Sequence, residues 1–232
     1  MILAAGRGLR MRPLTHKLPK PLITVAGKTM LERTFDHLNN LKISKIVVNS
    51  HYLSSLLEDF VRINYPEALI SHEDMLLETG GGIKKALPLL GKEPFFTLNG
   101  DSIWSDSESL IAMEKVWNED KMDALLLLIP KENACGYQGS GDFFMSFENK
   151  LSRPRSDSTA PFVYMGVQIV SPRLFQNAPK GPFSINLLWD KALQKGRLCG
   201  YVHGGEWFHI STPEDLQKYE PLIHKIEQDK CL

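Results

Sequence analysis

Short apolar runs along this chain alternate with stretches in which apolar residues recur every three or four positions. The first pattern predicts buried strands and the second helices with one face on a core. Residues 2–5 read as the opening strand, and Leu31, Phe35, Leu38 and Leu41 mark a helix over 31–41. Ile46-Val47-Val48 then centre a second strand, which completes a βαβ unit. Leu56, Leu57, Phe60 and Ile63 lie on one side of a helix over 53–63, a short strand follows at 68–71, and a helix over 82–90 is ended by Gly91. Strands at 95–99 and 124–129 flank a helix at 110–118; a strand at 162–170, a helix at 185–195, a strand at 198–202 and a helical tail from 213 complete the series. This order predicts an α/β fold with a Rossmann-like, mostly parallel mixed sheet flanked by helices. Between 136 and 155 the texture changes to glycines, polar residues and Phe143, Phe144, Met145 and Phe147, which predicts a small β-hairpin insertion.

Composition narrows the partners. A chain of 232 residues suits one domain, residues 1–232. Lys+Arg and Asp+Glu are balanced at 27 each, so no overall basic field exists for a nucleic-acid backbone, and a charged small molecule is the expected partner. The longest apolar runs, such as 124–130, fall far short of the roughly 20 residues of a membrane span. No leader segment precedes the first strand, so a cytoplasmic protein is expected. Cys135, Cys199 and Cys231 have no metal-ligand spacing and read as plain thiols of a reducing compartment.

The candidate chemistry begins where the first strand ends. Gly6 and Gly8 sit in a loop with Arg7, Arg10 and Arg12, and Lys20 is held between Pro19 and Pro21. Two glycines alone would indicate only a tight turn, but three arginines around one turn repel each other unless an anion lies among them. Backbone amides and cations together suit phosphate. The spacing is neither that of a P-loop nor that of a dinucleotide-binding loop. Farther on, Asp101 ends a predicted strand, the position at which open α/β sheets place their ligands.

Leu3-Ala4-Ala5-Gly6-x-Gly8-x-Arg10-Met11-x-Pro13-Leu14-Thr15 with Pro19-Lys20-Pro21-Leu22 resembles the signature of sugar-1-phosphate nucleotidyltransferases. Glu78-Thr79-Gly80-Gly81-Gly82-Ile83 is similar to their base-recognition segment, Asn99-Gly100-Asp101 to their metal-binding turn and the 207–213 stretch to their C-terminal metal motif. The resemblance implies a glycosyltransferase-A-like nucleotidyltransferase fold, with a nucleotide-binding half at about 1–130 and a sugar-binding half at about 131–232. It implies in-line attack of a sugar 1-phosphate on a nucleoside triphosphate with release of pyrophosphate, a reaction driven by charge stabilisation rather than by a side-chain nucleophile.

On this resemblance Arg10, Lys20 and Asp101 are the catalytic candidates. Leu3, Ala4, Ala5, Gly6, Gly8, Glu78, Gly80 and Gly81 would bind the nucleotide, the glycines letting a flat base lie on the backbone. Asp142, Gly166 and Asn186 would meet the sugar. Asp101 and His209 would hold Mg²⁺, with Mn²⁺ as the alternative. Where relatives carry Asp in the C-terminal motif this chain has His209, and Ser211 stands where they have Gly. His209 therefore either ligates the metal or hydrogen-bonds a phosphate or metal-bound water. Arg153 stands near the place of an absent Glu-Lys-Pro stretch and reads as an acid-sensing contact or, in preference, as a solvated charge. Relatives begin their first strand a few residues earlier, which would make Met1 a shortened start, and no β-helix repeats follow to suggest a fused acyltransferase. Within the family the 77–91 segment is most similar to N-acetylmuramate-1-phosphate uridylyltransferases of cell-wall recycling, with mannose-1-phosphate guanylyltransferases as the rival. A non-catalytic nucleotide-binding regulator is the alternative of another class, favoured by His209. A monomer or homodimer is expected.

Overall fold

The computed structural model describes residues 1–39, 41–155 and 158–230; Cys231 lies outside them. One seven-stranded sheet organises the chain. Its strands are β1 (Ile2–Leu3), β2 (Val47–Ser50), β3 (Leu69–His72), β4 (Phe95–Asn99), β5 (Ala124–Pro130), β6 (Phe162–Val170) and β7 (Leu198–Val202). They lie in the order β7-β5-β6-β4-β1-β2-β3. Strand β6 runs antiparallel to β4 and β5, and the other pairings are parallel. The mixed, mostly parallel sheet expected from the sequence is present.

The apolar run of β5 has no alternation because both of its faces are covered. Leu125, Leu127 and Ile129 enter one core with residues of α1 (Met30–Leu38), α2 (Ser54–Asn64) and α4 (Glu108–Val116). Ala124, Leu126 and Leu128 face the other core with α3 (Glu78–Leu90) and α5 (Asn186–Gln194). Such two-faced burial is what parallel sheets demand, and each fully buried Leu contributes about 1.5–3 kcal/mol. Helix α1 starts cleanly because Glu32 N donates to Thr29 Oγ1 at 3.1 Å while Thr29 N donates to Glu32 Oε2 at 2.6 Å, a reciprocal cap. A last helix, α6 (Pro213–Lys230), closes the described chain. Among the described residues no helix is long and apolar enough to cross a membrane.

Three features depart from the sequence expectation or extend it. Helix α3 starts at Glu78, a turn earlier than expected, and takes in all three glycines. Glycine weakens a helix by about 1 kcal/mol per residue relative to Ala. Here close packing offsets that loss, because Gly80 N and Gly81 N both donate to Phe183 O, at 2.9 and 3.1 Å. The hairpin within 136–155 is confirmed, with Phe144–Met145 antiparallel to Leu151–Ser152. A small ribbon was not legible: Trp207–Phe208 pairs with Ile103–Trp104 on one side and Ala134–Cys135 on the other. Two-residue strands carry too few positions for any periodicity.

Candidate active site

The loop after β1 is folded back on itself and pinned. Gly8 has φ 58°, and a Cβ there would lie 2.9 Å from Thr15 Cγ2 and 3.0 Å from Lys20 Cβ, so glycine is required. Thr15 Oγ1 donates to Gly8 O at 2.8 Å, and Tyr52 Oη donates to Thr15 O at 2.7 Å. Gly6 faces open space, with nothing within 4 Å of where its Cβ would be. Arg7, Arg10 and Arg12 are exposed and enter no ion pair among the described residues. The loop thus presents cations to whatever binds above it.

Asp101 lies just beyond β4, where Lys20 Nζ donates to its Oδ2 at 2.7 Å. Desolvation pushes the Asp101 carboxyl up, but the charge and hydrogen bond of the Lys20 ammonium, joined by His209 when its ring is protonated, outweigh it and hold the group below the usual range. His209 extends from the ribbon, with its backbone N–H donating to Cys135 O at 2.8 Å. Its ring stands edge-on to Tyr137 with centroids 6.0 Å apart, and lies 5.4 Å from the Trp207 ring. Desolvation first, then Lys20 and Arg10, lower its pKa against the pull of Asp101 and Asp215. At neutral pH the imidazole is therefore uncharged and offers a lone pair. The following turn is fixed by Asp215 Oδ2, which accepts from Ser211 N at 2.9 Å, Ser211 Oγ at 3.0 Å and Thr212 N at 2.9 Å.

Two cavities meet at Lys20, Asn99 and Asp101. The larger, about 410 Å³, is walled by the predicted Leu3, Ala4, Ala5, Gly6, Gly8 and Glu78. The smaller, about 180 Å³, is walled by the predicted Arg10, Gly166 and His209. Gly166 occupies an irregularity in β6, where pairing with β5 jumps between Tyr164 and Gln168. With φ +83° and a would-be Cβ only 2.6 Å from Asn99 Nδ2 and 2.7 Å from Ser102 Oγ, it lets the strand approach the site.

Four predicted residues line neither cavity. The N–H groups of Gly80 and Gly81 are turned to Phe183 O, and a Cβ on Gly81 would meet Gly181 O at 2.6 Å. These glycines allow close packing behind the cavity wall, and their N–H groups are engaged there. Asp142 Oδ2 accepts from Tyr164 N at 2.8 Å, tying the insertion to β6. Asn186 Oδ1 accepts from Arg153 Nη2 at 2.6 Å. Arg153 is itself no free solvated charge: it also bonds Asp190 at 3.3 Å and lies 4.6 Å over the Phe143 ring. Thr79, part of the segment likened to a base-recognition motif, lines the larger cavity; so do Asn49 and Ser184, and Ser102 and Tyr164 line the smaller, although sequence reasoning assigned these four no role. Asn49 had a signal, since it lies near the end of the strand begun by Val47-Val48 much as Asn99 ends β4.

Among the described residues no group of three or more His, Cys, Asp or Glu side chains is disposed to hold a metal. Asp101 and His209, walling one small cavity, form a two-donor set. That suits a divalent ion that takes its remaining ligands from phosphate and water.

A sheet whose carboxyl ends carry a cationic glycine loop, a half-buried Lys–Asp pair and two joined cavities defines an enzyme of phosphate-bearing substrates. Residues 1–222 match the nucleotidyl transferase family, and the chain belongs to it. It is 39% identical over 222 residues to the N-acetylmuramate alpha-1-phosphate uridylyltransferase of Caulobacter vibrioides, covering 92% of each chain. To the enzyme of the same name from Neisseria meningitidis it is 33% identical over 233 residues, covering 96% of each. The fold is similar to that of HddC from Yersinia pseudotuberculosis complexed with GMP-PN, with a TM-score of 0.75 at 22% identity over 95% of this chain and 97% of that one.

Proposed function

We propose that this nucleotidyltransferase joins UTP to N-acetylmuramate 1-phosphate, releasing pyrophosphate and forming the UDP-sugar in the cytoplasm as part of cell-wall recycling. The observation that carries the reading of the site is the shared wall: Lys20 and Asp101 border both cavities, so groups in the two meet there. The choice of base and sugar is supported by the names of the two curated relatives and by their near full-length match.

In this reading the nucleotide occupies the larger cavity, with Leu3, Ala4, Ala5, Gly6 and Gly8 along its phosphates and Glu78 at the base side. Gly80 and Gly81 act from behind, by letting α3 pack close. The sugar phosphate enters the smaller cavity beside Gly166, and Asp142 and Asn186 shape that half indirectly through β6 and Arg153. The sugar phosphate oxygen attacks the α-phosphorus in line, the bond to the β-phosphate oxygen breaks, and pyrophosphate leaves. Lys20 leaves Asp101 to bind the reacting phosphate, and Arg10 neutralises the departing pyrophosphate. Asp101 and His209 would hold Mg²⁺ or Mn²⁺, which supplies further neutralisation of phosphate charge.

Pyrophosphate release measured with UTP, GTP, CTP and dTTP against N-acetylmuramate 1-phosphate, mannose 1-phosphate and glucose 1-phosphate tests the assignment. UTP with N-acetylmuramate 1-phosphate is expected to give the highest kcat/KM. Preference for GTP with mannose 1-phosphate would overturn it.

A further inference from the structure

Beneath the larger cavity lies a buried polar relay that no motif announces. Asn49 and Glu73 are 3% and 1% exposed. Ala4 N donates to Asn49 Oδ1 at 2.7 Å, Asn49 Nδ2 donates to Glu73 Oε1 at 2.7 Å, and Leu77 N donates to Glu73 Oε2 at 2.9 Å. The relay joins the start of the glycine loop, the ends of β2 and β3, and the entry to α3. Residues on both sides of it, Ala4 and Glu78, wall the cavity, as does Asn49 itself.

The chemistry of the relay is directional. Asn49 must accept with one arm and donate with the other, and Glu73 must accept with both oxygens. An amide in place of the Glu73 carboxylate would set an NH₂ group against a donor, and a carboxylate in place of the Asn49 amide would set two carboxylates together. The surroundings leave little slack: a Cβ on Gly82 would fall 2.6 Å from Glu73 Oε1 and 2.9 Å from Asn49 Nδ2. The Leu3–Ala4 peptide is gripped on both sides, since Leu3 O accepts from Gly100 N at 2.9 Å while Ala4 N is held by Asn49. On the far side, Glu73 N donates to Ser50 O at 2.8 Å and Glu73 O meets His51 Nδ1 at 2.8 Å, so the carboxylate has a fixed base.

We propose that Asn49 and Glu73 are positioning residues that set the separation between the phosphate loop and the base-side wall, and so set nucleotide affinity. This rests on the reading of the larger cavity as the nucleotide site. The relay makes no hydrogen bond to Lys20 or Asp101, so its effect is expected on binding more than on the transfer step.

The test is a double-mutant cycle on the full chain. E73Q and N49D should each weaken UTP binding by calorimetry, and raise the KM for UTP, by about tenfold, the scale of one mismatched buried hydrogen bond. For E73Q, whose side chain lines neither cavity, turnover at saturation should stay within about twofold. The combined variant N49D/E73Q restores the pattern: the carboxylate introduced by N49D can accept from Ala4 N and from the amide introduced by E73Q, and the oxygen of that amide accepts from Leu77 N. It should recover UTP affinity to within about threefold of the starting protein. A merely structural relay would shift the melting temperature without moving affinity apart from turnover. Native UTP affinity in folded E73Q overturns the inference alone. If the single variants do not fold, a folded double variant with unrecovered affinity overturns it as well. Failure of the unaltered chain to bind UTP overturns the nucleotide reading together with it.

Discussion

Lys20 Nζ rests 2.7 Å from Asp101 Oδ2, so the cation and the carboxylate neutralise each other. In the proposed reaction a phosphate would compete for Lys20 and, in taking it, uncover the carboxylate. Lys20→Met should lower turnover by about 10²–10³-fold while the circular dichroism spectrum is unchanged. Pyrophosphate release decides it, and a rate near that of the parent protein would remove Lys20 from the reaction.

The same pair fixes a pH signature. Asp101 titrates below its ordinary value in the folded chain. Its stabilisation is therefore fully present above the unfolded carboxylate value, about 3.9, and is lost as pH falls through the lower folded one. Lys20→Met removes the main cause of that depression. Melting temperatures measured from pH 7 downward should separate parent and variant near neutrality and converge in acid.

His209 acts in the same direction at a higher pH. Its folded pKa is lowered, so below about 6.5 the unfolded chain takes up a proton that the native ring refuses, and stability falls as pH drops. His209→Asn should flatten the melting temperature between about pH 7 and 5, to a degree that thermal denaturation can read. If the ring is a metal donor, His209→Asp should keep or raise Mg²⁺-dependent turnover; a large loss would assign it to a phosphate or a water instead.

Gly166 combines φ +83° with contacts that a methyl group cannot make. Gly166→Ala should destabilise the fold by about 1–3 kcal/mol and push Asn99 and Ser102 into the smaller cavity. The KM for sugar phosphate should rise more than that for nucleotide. Equal effects on both would place Gly166 outside the sugar side.

Arg153 bridges Asn186 and Asp190 and stacks on Phe143 from a side chain that is 35% exposed. Arg153→Ala should reduce stability by about 1 kcal/mol in a urea titration, with kcat changed little. A collapse of sugar-phosphate affinity at unchanged stability would instead put Arg153 in contact with substrate.

Strands 95–99, 162–170 and 198–202 were legible to the residue because each is a short, largely apolar run rich in β-branched and aromatic residues or bounded by turn residues. The phosphate side was equally legible, since cations and glycines at a strand end announce their chemistry locally. The glycine-rich entry of α3 was not. Its helicity depends on Phe183 O, a partner distant in sequence, so local propensity misread it. The partners of Asp142 and Asn186 were not legible for a related reason: polar side chains near a site look alike in sequence whether they face a substrate, Tyr164 N or Arg153. The Asn49–Glu73 pair was invisible because nothing in the spacing of its residues joins β2 to β3.

The three-stranded ribbon couples completion of the site to completion of the chain. Phe208 pairs with Ile103, so His209 reaches the cavity it shares with Asp101 only after the segment preceding α6 has docked on a strand synthesised far earlier. A chain cut before Trp207 would retain the residues of the larger cavity and lack His209 altogether. The last wall of the smaller cavity is therefore set by the end of the chain, while the larger cavity is lined by residues that all precede it.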